Sequence, residues 1–121
     1  MHKKLLIVIP LLMLTGCATQ KYAWNGYDDS LYFYYKHPEN KQRYIEHLNY
    51  IIEKAEQAKV KVPPGIYAEY GYMIYEAKDY PRAIVYFQKE EGAWPESTFF
   101  MEKMIRDTKT LMDKAQPKAA S

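Results

Sequence analysis

The stretch IYAEYGYMIYEAKDYPRAIVYFQKEEGAWP, residues 66–95, decides the fold. Apolar and aromatic residues recur at helical spacing on both sides of Lys78-Asp79-Tyr80-Pro81, and they never alternate cleanly with polar residues as a half-buried strand requires. Residues 65–77 and 80–92 therefore read as two helices folded back on each other. Gly71 and Ala83 are small where the pair would cross, so the backbones can approach, while Tyr80 and Phe87 fill the space beside them. Pro95 ends the second helix.

The spacing of these residues resembles a single tetratricopeptide repeat. Tyr67 stands where that repeat has its first large aromatic, and Tyr70-Gly71 where it has Leu-Gly. Tyr75, Asp79-Tyr80, Ala83, Phe87 and Pro95 follow at matching intervals. One departure is Glu90, at a position the repeat fills with a small Ala, which puts close packing against the next helix in question. No second repeat lies about 34 residues away on either side, and a lone unit buries too little to stand by itself. The neighbouring helices must act as caps.

Outward from the hairpin, residues 40–60 form a long helix capped by Asn40, with Tyr44, Leu48, Ile51, Ile52 and Ala55 as its apolar stripe. Val62-Pro63-Pro64-Gly65 stops it, and Pro64 suits the start of the next. Residues 28–36 make a short helix with Asp28 or Asp29 as cap and Tyr27, Leu31, Tyr34 and Tyr35 on one face. A last helix over 97–114, capped by Ser97, buries Phe100 or Met101, then Met104, Ile105, Thr108, Leu111 and Met112. The fold class is all-α, a small domain of about five helices.

The N-terminus has a different character. Lys3 and Lys4 precede an apolar run from Leu5 to Leu14, roughly ten residues where a spanning helix takes about 20. Thr15 and Gly16 are small, and Cys17 follows at once. Leu14-Thr15-Gly16-Cys17 resembles the lipobox of bacterial lipoproteins. That resemblance implies cleavage between Gly16 and Cys17, with a diacylglyceryl group and an N-acyl chain on the cysteine. Cys17 is the only cysteine, so it has no disulfide partner. Two or more acyl chains hold a protein stably on a membrane where one does not. Ala18, in place of the Asp that retains such proteins at the inner membrane, implies the outer membrane, facing the periplasm. The chain thus divides into a signal peptide (1–16), a lipidated N-terminus and tether (17–27), a helical domain (28–115) and a disordered tail (116–121). Residues 18–26, fully stretched, would reach about 30 Å.

At whole-chain scale three segments stand out: Asp29 to Lys36 (DSLYFYYK), Val62 to Tyr72 (VPPGIYAEYGY) and Trp94 to Ser97 (WPES). In this order after a lipobox, they are similar to a family of short bacterial lipoproteins known as domain of unknown function 4810. The resemblance implies membership of an outer-membrane lipoprotein assembly, beside a lipoprotein resembling the curli secretion channel and another small lipoprotein. It implies no activity.

Excision of Lys3 and Lys4 brings the basic residues down from 17 to equal the 15 acidic ones, so nucleic acid is not an expected partner. His37 and His47 have no cysteine or paired carboxylate at ligand spacing, and neither a metal nor another cofactor is expected. Asp28-Asp29 reads as a helix start favoured by the local dipole, and Glu90-Glu91 as a solvated helix end. No nucleophile–base pair or phosphate loop is present, and the expectation is a non-enzymatic protein. The chain has 13 Tyr, too many for the core of so small a domain. Tyr32, Tyr34, Tyr35, Tyr72 and Tyr86 are the candidates for an exposed partner surface. A homo-oligomer that stacks its incomplete repeats is the alternative, and a peptidoglycan-associated protein or envelope enzyme a more distant one. Replacing Cys17 with Ser is expected to abolish metabolic lipid labelling and to leave the protein either released or unprocessed, as membrane fractionation would show.

Overall fold

The computed structural model describes residues 21–117, and among them every regular element is helical. The helices are α1 (Tyr27–Lys36), α2 (Lys41–Gln57), α3 (Ile66–Glu76), α4 (Tyr80–Ala93) and α5 (Thr98–Ala115). Single 3-10 turns, Pro38–Asn40 and Pro95–Ser97, lead into α2 and α5. The expected signal peptide, its cleavage site, Cys17 and residues 118–121 lie outside the described residues.

Each helix packs on the next in sequence: α1 on α2, α2 on α3, α3 on α4 and α4 on α5. The hairpin of α3 and α4 is at the centre, its helices joined by residues 77–79. The expected α2 stripe, Tyr44, Leu48, Ile51, Ile52 and Ala55, is buried throughout and meets Ile66, Tyr70, Met73 and Ile74 of α3 in one core with Ala83, Phe87 and Met101.

Helix ends explain where the expected boundaries shift. α2 stops at Gln57 because Lys59 turns left-handed (φ 56°), so that the Val60 N–H reaches the Ala55 carbonyl at 3.0 Å. Lys78 does the same after α3, with the Asp79 N–H on the Ile74 carbonyl at 3.2 Å. Both satisfy carbonyls that a helix end leaves without partners. Asp79 then caps α4, its carboxylate accepting from the Arg82 N–H at 3.4 Å. At α1 the cap is Gly26 rather than Asp28 or Asp29, which sit in the first turn where the helix dipole favours them.

The outer helices are covered on one side only. α1 buries no residue completely: Tyr27 and Tyr34 turn inward, whereas Leu31 and Tyr35 are exposed. α5 buries Met101 and Thr108; Met104, Ile105, Leu111 and Met112 are half-buried, because no further helix packs on its outer flank among the described residues. The Thr108 hydroxyl donates to the Met104 carbonyl at 2.6 Å.

Gly71 is where the hairpin closes. A Cβ built there would lie 3.0 Å from the Phe87 ring and 3.1 Å from Tyr86 Cβ. The ring could turn slightly, but Tyr86 Cβ is fixed to its own backbone. Gly71→Leu should therefore force α3 and α4 apart and lower the unfolding free energy by about 1–3 kcal/mol. A urea midpoint equal to that of the parent would show that the helices do not cross there.

Candidate interaction surfaces

Two polar seams hold the stack and determine which side chains are left for other work. The first is built on Glu90. It is one of the residues that continue the inward stripe of α4, Ala83, Phe87, Glu90 and Trp94, and it is 1 % exposed. The expectation of a solvated Glu90-Glu91 end is therefore corrected for Glu90. Oε1 accepts from the Gly65 N–H at 2.7 Å, with the Ser97 hydroxyl at 3.5 Å, while Oε2 has no partner among the described residues. Gly65 is left-handed (φ 89°), which aims its N–H out of the Pro63-Pro64 turn at the carboxylate. The first turn of α3 thereby gains its acceptor from α4. Where the repeat pattern places Ala, the carboxylate packs inward, and α4 and α5 remain in contact. Burial raises the Glu90 carboxyl above its usual range, opposed by the backbone N–H groups of Gly65 and Ala68 and by Ser97.

Trp94 completes this seam. Its indole N–H donates to the Val62 carbonyl at 3.1 Å, and the Lys61 ammonium lies 4.4 Å above its ring while donating to the Ala93 carbonyl at 3.0 Å. Tyr22 stands edge-on to the same ring at 5.4 Å. The VPPG and WPES segments, far apart in sequence, thus form one junction.

The second seam uses tyrosine hydroxyls. On Glu69 of α3, Oε2 accepts from Tyr27 of α1 at 2.6 Å and Oε1 accepts from Tyr44 of α2. Burial, then the bond to Glu69, pushes Tyr27 up to about 12 and Tyr44 well above an ordinary phenol. Both therefore remain donors at neutral pH. Tyr67 donates to Glu56 at 2.7 Å and is raised in the same manner. Glu56 is held below its usual value, first by its bond from Lys89 (2.9 Å) and then by Tyr67. Lys41 and Glu76 pair between α2 and α3.

These contacts sort the candidate partner surface. Tyr34 stacks flat on Tyr44 with ring centres 4.8 Å apart, and Tyr86 meets Tyr70 edge-on at 4.6 Å. Both are half-buried and spent on internal packing. Tyr32, Tyr35 and Tyr72 remain exposed, at 64 %, 77 % and 44 %. Of the hairpin residues, Tyr67, Gly71, Ala83 and Phe87 are buried, whereas Tyr75 and Tyr80 flank each other half-exposed at 5.7 Å. Pro95 opens the turn into α5.

Two surfaces result. On α1, Asp28, Leu31, Tyr32 and Tyr35 form an outward stripe, with the Lys36 ammonium 5.7 Å from both rings. Between α3 and α5 runs an apolar groove of about 320 Å³ lined by Ala68, Tyr72, Phe87, Phe100, Met101 and Met104. The histidines have local roles. His47 Nε2 donates to the Asn25 carbonyl at 2.9 Å and so pins the Asn25-Gly26 turn, and His37 lies 3.2 Å from Glu39. Among the described residues no three His, Cys, Asp or Glu side chains cluster as a metal site, and no helix is long and apolar enough to cross a membrane.

Glu90 carried a signal that the solvated reading passed over, a carboxylate on an apolar stripe, which must find a partner. Glu69 gave no such sign, since an acid in a first helical turn is ordinary.

A chain of helices, each packed on its predecessor and locked by carboxylates, with apolar side chains left facing outward, defines a small all-α domain of the helical-stack kind. The protein belongs to the family described as Domain of unknown function (DUF4810), whose model matches residues 21–104, from the first described residue into the middle of α5. No curated protein and no solved structure matches the chain significantly.

The raised Glu90 carboxyl has a signed consequence. The folded chain keeps this proton at pH values where the unfolded chain has lost it. The resulting stability is full below the ordinary value of 4.5 and is lost as pH rises through the raised one. Glu90→Gln keeps an acceptor for Gly65 and removes the titration. Its stability relative to the parent should rise as pH increases from about 4.5 towards neutrality, in denaturant melts at each pH. Parallel curves would show that the folded chain holds this proton no more tightly than the unfolded one.

Proposed function

We propose that this protein is an outer-membrane lipoprotein, acylated on Cys17, whose tetratricopeptide-like helical domain is a non-enzymatic interaction module in an envelope lipoprotein assembly. The Leu14-Thr15-Gly16-Cys17 tetrad after a short apolar run supports the anchor. The aromatic stripe of α1 supports the module. Leu31, Tyr32 and Tyr35 sit at helical spacing on the side of α1 turned away from α2, where a solvated helix face would be polar. Tyrosines with an apolar face and a polar tip suit a contact that opens and closes in water. The partner is a neighbouring lipoprotein, the one resembling the curli secretion channel or the other small one that accompanies this family. The half-exposed outer flank of α5, with Ile105, Leu111 and Met112, favours a second reading, in which copies of the chain stack on one another.

Purification from detergent-solubilised membranes tests the module. The parent should carry a partner lipoprotein with it. Tyr32→Ala combined with Tyr35→Ala should weaken that complex by about 2 kcal/mol or more, roughly thirtyfold, while leaving the melting temperature near the parent's because both rings are exposed. Recovery of the parent alone would overturn the partner reading, and undiminished recovery with the double variant would overturn the stripe. Multi-angle light scattering separates the stacked homo-oligomer.

A further inference from the structure

The incoming chain, the α2–α3 loop and the α4–α5 turn all meet at one end of the stack. Tyr22 packs on Trp94, and Lys21, Tyr22 and Ala23 share a shallow cleft with Val60 and Lys61. The expected tether is therefore shorter than residues 17–27, because Tyr22 and Trp24 are already packed against the domain and Trp24 borders the core. Only four peptide steps separate Cys17 from Lys21, a reach of at most about 14 Å. Whatever holds Cys17 lies within that distance of this end.

The same end carries the most exposed large hydrophobic side chain among the described residues, Phe99, at 85 % in the first turn of α5, and Val60 is 50 % exposed beside Lys61. Lys21 and Lys61 line the cleft with Val60, exposed Lys59 precedes it in the chain, and Glu96 is an exposed acid in the turn before Phe99. Exposed apolar side chains and lysines at the same end match the boundary of a bilayer, where aromatic rings sit at headgroup depth and ammonium groups meet lipid phosphates.

We infer that this end of the domain rests on the bilayer that holds the Cys17 acyl chains, with Phe99 and Val60 entering the headgroup boundary and Lys21, Lys59 and Lys61 against lipid phosphates. The inference rests on the lipid-anchor reading. Its geometry then orients the domain. α2 runs about 25 Å from Gln57 back to Lys41 at the usual 1.5 Å per residue, so the exposed end of the α1 stripe, near Tyr35, faces away from the membrane.

The full chain, matured in cells and reconstituted in phosphatidylethanolamine–phosphatidylglycerol vesicles with brominated acyl chains, provides the test. Phe99→Trp and Tyr35→Trp each add one indole at an exposed position to the native Trp24 and Trp94. The emission added by Phe99→Trp should be quenched at least twofold by the brominated lipid, and that added by Tyr35→Trp should not. Equal quenching of the two, or none at Phe99→Trp, overturns the inference. So does a Phe99→Trp signal that changes only when detergent-extracted envelope proteins are added, since this end would then be a protein contact. Mass spectrometry of the same sample separates the two levels. An acylated Cys17 with an unquenched Phe99→Trp sinks the footprint alone, whereas an unmodified Cys17 sinks the anchor and the footprint with it.

Discussion

A buried carboxylate of α4, set against the start of α3, is the constraint on which the rest of the structure turns. In a stack where each helix packs chiefly on its neighbours in the chain, the connections need side chains to hold them in place. The two loops at the lower end of the central hairpin must be fixed by side chains, and Glu90 does this by reaching from α4 to Gly65 while Trp94 reaches Val62. A buried donor left without an acceptor costs about 1–3 kcal/mol, so the Gly65 N–H and the Glu90 carboxylate each make the other tolerable. With that junction closed, α5 can leave the turn at Ser97 already directed along α4.

The tyrosines follow the same logic. A domain of this size has a small core, and its helices are amphipathic at best. A phenol can fill the gap between two helices with its ring and still offer a proton to a carboxylate at the edge. Tyr27 and Tyr44 converge on Glu69, and Tyr67 takes Glu56. Burial holds these protons on oxygen far above neutral pH, so each bond stays charge-assisted, the stronger kind. Much of the aromatic surplus is thus bracing, and only the remainder, led by Tyr32 and Tyr35, is left exposed.

Helical spacing alone was enough to place the five helices, because their apolar stripes and Pro-Gly interruptions agree with one another. The α2 stripe and the Gly71 crossing were legible residue by residue. The faces of α1 and α5 were not. Periodicity says which residues lie together, but not whether a neighbour covers them, and a helix at the end of a stack has a neighbour on one side only. Which tyrosines are exposed was legible in the same partial way. Tyr34 and Tyr86 cannot be told from Tyr32 and Tyr35 without knowing that Tyr44 and Tyr70 stand opposite them. The family kinship was readable from the Pro-Pro-Gly and Pro-Glu-Ser segments. Their physical meaning, a shared junction, emerges only in three dimensions.

Packing each helix on its predecessor also sets the order in which the domain can assemble. Most contacts are local along the chain, which shortens the search for distant partners and favours folding in milliseconds or faster. A polypeptide delivered from one end can close helix upon helix as it emerges, so little apolar surface waits uncovered. The last helix to arrive, α5, leans on a single neighbour, and fraying should begin there.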